Sequence, residues 1–217
     1  RLYFSSWNNG TWGAPEPIGD ASYTVLDSSL AMAGEEGLLL YTLDMDNNLF
    51  TCEDREIFAR LYNEEAWGEE IRLTGNSFDD SAPKAVYADG QWLITWLQEG
   101  NILYKVGLDG ETKTEEWLSN IQGDYQLATK PGARPLVSLV YMQPGEDKAV
   151  GISSSFYDLG NGQWGGGGLL AAADKYADAI SAVFSEDGKL NVAFSQADII
   201  MEAVPMVIDS VEQLVEQ

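Results

Sequence analysis

A tryptophan that follows a polar turn recurs along the chain and constrains the fold more than any other feature. The pattern appears as NNGTWGAPEPI, NEEAWGEEIRL, ETKTEEWLSNI and NGQWGGGGLL, with indoles at Trp12, Trp67, Trp117 and Trp164. The spacings between these tryptophans are 55, 50 and 47 residues. A period of about fifty residues is long for a helical solenoid unit and suits a four-stranded β-blade. The sequence therefore predicts consecutive sheet modules of one kind.

The stretch between the second and third repeat tryptophans shows the strands of one such module. Alternating apolar residues predict strands at 82–87, 91–97 and 102–106, with a fourth around Trp117. Two Asp-Gly pairs, Asp89-Gly90 and Asp109-Gly110, indicate tight turns between these strands, because glycine tolerates a positive φ. Trp92 and Trp96 share one face of the second strand, which predicts packing between modules.

These patterns predict an all-β protein, a β-propeller of four-stranded antiparallel blades. Residues 1–20 align with only half a blade, and full blades are predicted at 26–74, 80–121, 125–170 and 176–217. A propeller removes its exposed sheet edges by making its first and last strands neighbours. Because half a blade plus four blades does not close neatly, we expect a ring of six to eight blades. A longer parent chain or a second subunit would supply the remainder.

Composition excludes several classes of function. Asp and Glu number 35 against 12 Lys and Arg, which gives a formal net charge of −23 at pH 7. Such a field repels phosphate backbones and anionic lipid headgroups, so nucleic acid and membrane surfaces are not expected partners. Histidine is absent and Cys52 is the only cysteine, which removes His-dependent triads, Cys-rich zinc sites and intrachain disulfides. No apolar run approaches the ~20 residues of a membrane-spanning helix.

The residues that carry the repeat resemble a known family. The inner strand DDSAPKAVYADGQ, the second strand WLITW and the turn followed by Trp are similar to sialidase-like, BNR-type propeller repeats with a degenerate Asp-box. The segments NNGTW and NGQW also resemble repeats of fungal-lectin-type propellers. The sialidase resemblance implies an active site with an arginine cluster, a Tyr-Glu nucleophile pair and an Asp acid. The few arginines of this chain include Arg55 and Arg60 on a third strand, away from the channel, which favours a noncatalytic protein.

Acidic residues near the start of the innermost strands are the first candidate site. They are Asp27, Asp79, Asp80 and Asp178. Propellers usually place ligands at the channel mouth, where paired carboxylates could perform general acid–base chemistry. The recurrence of these acids at similar distances after Trp12, Trp67 and Trp164 favours a structural role, turn capping through hydrogen bonds to the backbone, and leaves a catalytic pair or a cation site as the alternatives.

A second candidate site is the segment Asp44-Met45-Asp46-Asn47-Asn48. Oxygen-bearing side chains at Asp44, Asp46 and Asn48 alternate along it, a spacing that lets a tight loop wrap a hard cation such as calcium. A complete EF-type loop would have Gly at its sixth position, which is Leu49, and Glu at its twelfth, which is Arg55. An ordinary acidic turn is the alternative.

Trp7 is the third candidate, because it lies beside the turn Asn8-Asn9-Gly10 and is predicted to be an exposed ring on which a sugar could stack. Taken together, the sequence predicts a noncatalytic cell-surface or secreted propeller module that binds a glycan or a protein, with calcium as the one cofactor to consider. Two alternatives stay open. One is a fragment of a carbohydrate-active propeller enzyme, and the other is a structural subunit of a larger assembly.

Overall fold

The computed structural model describes residues 1–19, 22–115, 117–130, 136–144, 150–173 and 176–197, without the side chains of residues 173, 176, 178, 196 and 197. Every regular element in this part of the chain is a β-strand, which confirms the predicted all-β class. The same residues contain no helix of the length and apolarity that a membrane span requires.

The strands group into an N-terminal ribbon and four sheets. The ribbon holds β1 (Leu2–Phe4), β2 (Trp7–Asn8), β3 (Thr11–Trp12) and β4 (Glu16–Ile18). Sheet 1 holds β5 (Thr24–Ala33), β6 (Glu36–Asp44), β7 (Arg55–Asn63), β8 (Ala66–Trp67) and β9 (Ile71–Arg72). Sheet 2 holds β10 (Asp80–Ala88), β11 (Gln91–Gln98), β12 (Asn101–Val106) and β13 (Lys113–Thr114). Sheet 3 holds β14 (Tyr125–Lys130), β15 (Leu136–Pro144), β16 (Val150–Asp158) and β17 (Gln163–Ala173). Sheet 4 holds β18 (Tyr176–Phe184) and β19 (Leu190–Ala197).

Each sheet is an antiparallel meander in which neighbouring strands follow one another in sequence. Sheets 2 and 3 have four strands each. In sheet 1 the outermost position is divided between β8 and β9, which both pair with β7. In the ribbon, β1 pairs with β4 and β2 pairs with β3. The fourth predicted blade, 176–217, extends into residues 198–217, which lie outside the described part of the chain.

The turns follow the predicted chemistry in one place and depart from it in another. Asp89 and Gly90 join β10 to β11 with φ values of 51° and 77°, the left-handed pair that a two-residue hairpin turn requires. The second pair, Asp109-Gly110, also lies in a turn between strands, but the connection is longer than a two-residue hairpin. The chain departs from β12 at Gly107, whose φ is 72°, and the Gly110 N–H bonds the Gly107 carbonyl at 3.4 Å before β13 begins at Lys113.

The second strand of each of the first three sheets is buried on both faces. In β6, Leu38 and Leu40 pack with Trp92 of sheet 2, whereas Leu39 and Tyr41 pack with Ile18 of the ribbon. Alternation along a strand sends successive side chains to opposite faces, so a continuous apolar run such as Leu-Leu-Leu-Tyr serves two neighbours at once. Sheet 1 is therefore enclosed between the ribbon and sheet 2.

The same division is repeated further along the chain. In β11, Ile94 packs toward sheet 1 and Leu93 toward sheet 3. In β15, Leu139 packs toward sheet 2 and Val140 toward sheet 4. Trp96 packs in the same cluster as Ile94 and is 1% exposed, as the alternation predicted. Consecutive sheets thus stack face to face, each using its neighbours as its core.

The first strands of successive sheets lie side by side. β5 contacts β10, β10 contacts β14, and β14 contacts β18. Sheets that stack face to face with their first strands innermost have the arrangement of propeller blades. The start of these first strands forms one end of the stack. We call this end the mouth, and it also includes the loop of residues 45–54 between β6 and β7, because Thr24 at the start of β5 pairs with Asp44.

Candidate functional site

Asp27 lies on β5 near the mouth, and only one of its two carboxylate oxygens has a hydrogen-bond partner among the described residues. Its Oδ2 accepts the N–H of Ala82 at 2.8 Å, which ties the first strand of sheet 1 to that of sheet 2. Its Oδ1 is buried and has no hydrogen-bond partner in the described part of the chain. A buried carboxylate oxygen without a donor costs free energy unless a ligand or a proton serves it.

Ala82 joins three sheets at this point. It lies in a bulge of β10 and has a φ of 49°, a conformation that costs an L-residue about 1–2 kcal/mol. Its N–H is bound by Asp27, and its carbonyl accepts the hydroxyl of Tyr125 at 2.7 Å. Tyr125 of sheet 3 is fully buried, and its hydroxyl also lies 3.0 Å from the Thr95 hydroxyl. Burial raises the pKa of Tyr125, so the phenol stays neutral and donates.

Asp80 is buried and fully hydrogen-bonded. Its Oδ1 accepts the indole N–H of Trp96 at 3.0 Å and the amide of Gln98 at 2.9 Å, and its Oδ2 accepts the Asn76 amide at 2.8 Å. Burial raises the pKa of Asp80, and the bonds from Gln98, Asn76 and Thr74 act in the opposite direction. These contacts use both carboxylate oxygens to fix the start of sheet 2, which leaves Asp80 little capacity for a ligand.

Asp79 and Asp178 differ from Asp80 in their surroundings. Asp79 is partly exposed and pairs with Arg55 at 3.4 Å, which connects the residue before β10 to the start of β7. The side chain of Asp178 lies outside the described part of the chain. The structure therefore places Asp27, Asp79 and Asp80 at the mouth, each engaged by a different partner.

Two acids that the sequence reasoning missed also matter here. Asp124 immediately precedes β14 and pairs with Lys84 at 3.0 Å, so it adds a carboxylate from sheet 3 to the mouth. Glu56 is 1% exposed and accepts the Arg72 guanidinium at 2.8 Å, the Asn76 N–H at 3.0 Å and the Thr74 hydroxyl. The sequence did contain a signal for Glu56, because it is a charged residue directly before the apolar run of β7. Asp124 has no such signal, because it does not lie at one of the positions where an Asp recurs from repeat to repeat.

Three carboxylates converge at the β6–β7 loop. One oxygen from each of Asp44, Asp46 and Asp54 lies within 4.8 Å of one oxygen of each of the others. The sequence predicted Asp44, Asp46 and Asn48 as ligands. The Asn48 amide oxygen instead accepts the Phe50 N–H at 3.3 Å. An EF-type pattern would place its acid at the twelfth position of the loop, and Asp54 lies one position before it.

Hydrogen bonds within the loop, and between the loop and the start of sheet 1, hold the loop in place. The Asn48 N–H bonds Asp46 Oδ1 at 2.7 Å, and the Thr51 hydroxyl contacts the same carboxylate. These donors lower the pKa of Asp46, the Asn48 N–H most of all, so the group stays ionised. Asn47 donates to the Ser22 carbonyl at 2.9 Å and accepts the Thr24 hydroxyl at 3.0 Å. The loop is thereby held against the start of β5.

An exposed indole, Trp7, lines a polar cleft between the ribbon and sheet 1 and packs against a second exposed indole, Trp12. Trp7 and Trp12 are 59% and 67% exposed, and their rings meet edge to face with centroids 5.5 Å apart. The cleft, of about 400 Å³, is lined by Phe4, Ser5, Ser6, Trp7, Asn8, Gly13, Ala14, Glu16, Tyr62 and Glu65. A second depression of about 330 Å³ adjoins it through Phe4, Ser6, Tyr62 and Glu65. Trp7 is exposed as the sequence predicted.

A further cleft lies on sheet 3. It has a volume of about 370 Å³ and is lined by Trp117, Tyr141, Gln143, Ser153–Ser155 and 164–169. The Gln143 amide is already committed to the carbonyls of Trp117 and Ser119, at 2.7 and 3.0 Å. Aromatic rings here pack on one another, since Trp117 and Trp164 have centroids 5.8 Å apart.

Two tyrosine–glutamate pairs form among the described residues, Tyr41 with Glu70 and Tyr104 with Glu115, and the sialidase resemblance would require such a pair. The Tyr41 hydroxyl donates to Glu70, and Arg60 lies 3.6 Å from the same carboxylate. Tyr41 is 1% exposed and stacks on Phe58 in the core between the ribbon and sheet 1. Burial and the neighbouring Glu70 raise its pKa, the opposite of what a nucleophilic phenolate needs. The Tyr41–Glu70 pair is part of this core, and its phenol is not accessible to a sugar. Tyr104 is 3% exposed, and burial and the neighbouring Glu115 raise its pKa as well.

Comparison with known proteins gives structural neighbours but no sequence relatives. No family model and no curated protein matches the chain. The Penicillium chrysogenum α-L-arabinanase bound to arabinobiose superposes with a TM-score of 0.48 at 11% identity, over 89% of this chain and 66% of that one. The Podospora anserina α-L-arabinofuranosidase bound to cellotriose gives 0.46 at 11% identity, over 85% and 68%. The Trypanosoma rangeli sialidase bound to sialic acid gives 0.39 at 10% identity, over 86% of this chain and 45% of that one.

Proposed function

We propose that this chain is a carbohydrate-binding propeller module that holds a sugar at the Trp7 cleft. The observation that carries the proposal is the exposed ring of Trp7, which lines a polar cleft of about 400 Å³ and packs against the exposed ring of Trp12. Large apolar rings on a surface mark interaction sites, and an indole combines an apolar face with a polar N–H. A sugar ring matches this pair, because its C–H face stacks on an indole while its hydroxyls face outward.

The lining of the cleft indicates which sugars it would accept. Glu16 and Glu65 can accept hydrogen bonds from neighbouring hydroxyls, and Asn8 and Ser6 can donate and accept. None of the lining residues is Lys or Arg, and the adjoining depression adds Glu35 and Glu64. Carboxylates repel an anionic ligand. The ligand is therefore a neutral glycan of the cell surface or the extracellular space, and not a sialoside or uronide.

The first prediction tests the cleft directly. Trp7→Ala should weaken the binding of the neutral glycan chosen from an array screen by at least about tenfold, because an aromatic at the centre of a contact supplies a large share of its energy. Isothermal titration calorimetry with the wild type and the variant measures this. Melting temperature should change little, since the side chain is largely exposed.

Two further variants locate the binding site. Phe50→Ala removes a 98% exposed aromatic outside both clefts and should leave affinity unchanged. Trp117→Ala tests the cleft on sheet 3 and should also leave it unchanged. If Trp117→Ala loses glycan binding while Trp7→Ala retains it, the glycan-binding site lies on sheet 3. An array without any bound glycan would overturn the proposal.

A second candidate function is glycoside hydrolysis at the mouth, favoured by the unpartnered buried oxygen of Asp27. Hydrolysis of a glycosidic bond needs two carboxylates, one as acid and one as nucleophile or base. Asp124, partly exposed beside Lys84 and immediately before β14, is a second carboxylate at the mouth, from the sheet beyond sheet 2. Asp80 is excluded from this role by its three donors.

The second prediction separates binding from hydrolysis. Wild-type protein incubated with p-nitrophenyl α-L-arabinofuranoside, arabinan and a fluorogenic sialoside should release no product above the rate of heat-denatured protein. Release that falls at least about a hundredfold in Asp27→Asn would establish the hydrolase in place of the binding module. Asp79→Asn, which changes a mouth carboxylate already paired with Arg55, is the matched control.

A further inference from the structure

We propose that Asp44, Asp46 and Asp54 form a calcium-binding site in the loop between β6 and β7. The site is independent of the proposed glycan cleft and uses different residues. It differs from the set that the sequence predicted, because Asp54 takes the place of Asn48.

The spacing of the oxygens suits this ion. Calcium holds oxygen ligands at about 2.3–2.6 Å, so two ligands of one ion lie at most about 5 Å apart. One oxygen of each carboxylate falls within 4.8 Å of its counterparts, which satisfies that limit. Magnesium holds its ligands at about 2.0–2.1 Å, keeps several waters and demands a stricter geometry. A loop that offers three carboxylates suits the larger, more tolerant cation.

A buried and unpartnered oxygen points to a ligand at this cluster. Asp44 is 0% exposed, and its Oδ2 has no hydrogen-bond partner in the described part of the chain. The Oδ1 of Asp54 is also buried without a partner there. The fold therefore removes two carboxylate oxygens from water and gives them no donor, which is costly for a protein group. A divalent cation would serve both oxygens.

The donors of the loop reach the other oxygens of the same groups. The Asn48 N–H lies 3.2 Å from Asp44 Oδ1, and the Asp46 N–H lies 2.7 Å from Asp54 Oδ2. Asp44 and Asp54 are thus each oriented through one oxygen, while the second oxygen of each has no donor among the described residues. Asp46 is held by the Asn48 N–H and by the Thr51 hydroxyl, which contacts both of its oxygens. This is how backbone donors fix ligands around a bound ion.

In the described part of the chain, the cluster has no basic partner. Among the described residues, no Lys or Arg forms an ion pair with these three acids. Arg55 stands opposite Asp44 in the strand register, but its guanidinium contacts Asp79 and the Leu49 carbonyl, each at 3.4 Å. Three like charges at this separation repel one another, and a bound cation would reverse that repulsion.

The third prediction is a saturable, stabilising effect of calcium on the full 217-residue chain. After treatment with EDTA and dialysis into metal-free buffer, CaCl₂ should titrate to one site per chain by calorimetry. At about a hundredfold excess over the dissociation constant, the melting temperature should rise by about 5–10 °C. MgCl₂ at the same concentration should raise it less.

Matched variants distinguish the site from general attraction of cations to an acidic chain. Asp46→Asn and Asp54→Asn should each lower calcium affinity at least about tenfold and melt no lower than the wild type in EDTA, because one repelling charge is gone. Asp89→Asn removes an exposed acid from a hairpin turn whose φ of 51° asparagine tolerates, and should bind as the wild type does.

Two results would overturn the site. The first is a wild-type melting temperature that does not respond to calcium, combined with Asn variants that melt at a lower temperature than the wild type in EDTA. That result would mean that the three acids stabilise the loop through hydrogen bonds and do not bind calcium. The second is wild-type calcium affinity in both Asn variants. Neither result bears on the glycan cleft, which is tested by Trp7→Ala.

Discussion

Replacing Trp96 with alanine should lower the free energy of unfolding by about 4 kcal/mol or more. The indole is 1% exposed in the core between sheets 1 and 2, and truncation of a buried tryptophan leaves a cavity that costs about 3–5 kcal/mol. The change also removes the N–H that Asp80 accepts at 3.0 Å. Denaturant unfolding followed by tryptophan fluorescence or circular dichroism measures the loss.

Two control variants separate the loss of buried volume at Trp96 from the loss of its hydrogen bond and from the effect of removing any indole. Trp96→Phe keeps most of the apolar volume and loses the donor, so it should cost about 1–3 kcal/mol. Trp12→Ala removes an indole that is 67% exposed and should cost less than about 1 kcal/mol. Equal losses for Trp96→Ala and Trp12→Ala would contradict the buried packing between the sheets.

Replacing Asp80 with alanine should cost about 3 kcal/mol, while Asp79→Ala next to it should cost less than about 1 kcal/mol. Without the Asp80 carboxylate, donors on Trp96, Gln98 and Asn76 lose their acceptor, and an unpaired buried donor costs about 1–3 kcal/mol. The Asp79→Ala variant loses only a partly exposed ion pair with Arg55. The two adjacent acids form a matched pair for equilibrium unfolding, and similar losses would contradict the assignment.

The pH dependence of Asp80 gives a second test of the same assignment. Because its folded pKa is raised, the folded state binds more protons than the unfolded state between the ordinary Asp value of about 3.9 and the raised one. The contribution of Asp80 to stability therefore falls as pH rises through that window. Asp80→Asn lacks this slope, so its stability relative to the wild type should increase from pH 4 to pH 7.

The sequence predicted those features that depend on local patterns. Alternation along β11 predicted the burial of Trp92 and Trp96, which are 7% and 1% exposed. The turn beside Trp7 predicted its exposure. The antiparallel four-stranded sheets followed from the spacing of the repeat tryptophans, because each module must bury its faces against its neighbours.

Features that depend on neighbouring sheets could not be predicted in this way. Asp80 was expected at the mouth, but the donors that occupy its carboxylate come from Trp96 and Gln98 on the next strand and from Asn76 in the preceding loop. Asp54 was missed because the path of the β6–β7 loop, and not its spacing in sequence, brings it to Asp44. Side-chain convergence across a loop has no periodic signal.

The bond between Asp27 and the Ala82 N–H has a consequence for how the protein opens. This amide is held by a carboxylate of another sheet, and the carbonyl of the same residue is held by Tyr125 of a third. Fraying within β10 alone does not release it. Its hydrogen-exchange rate therefore reports the cooperative separation of the sheets, so the free energy of exchange at this single amide should approach that of global unfolding.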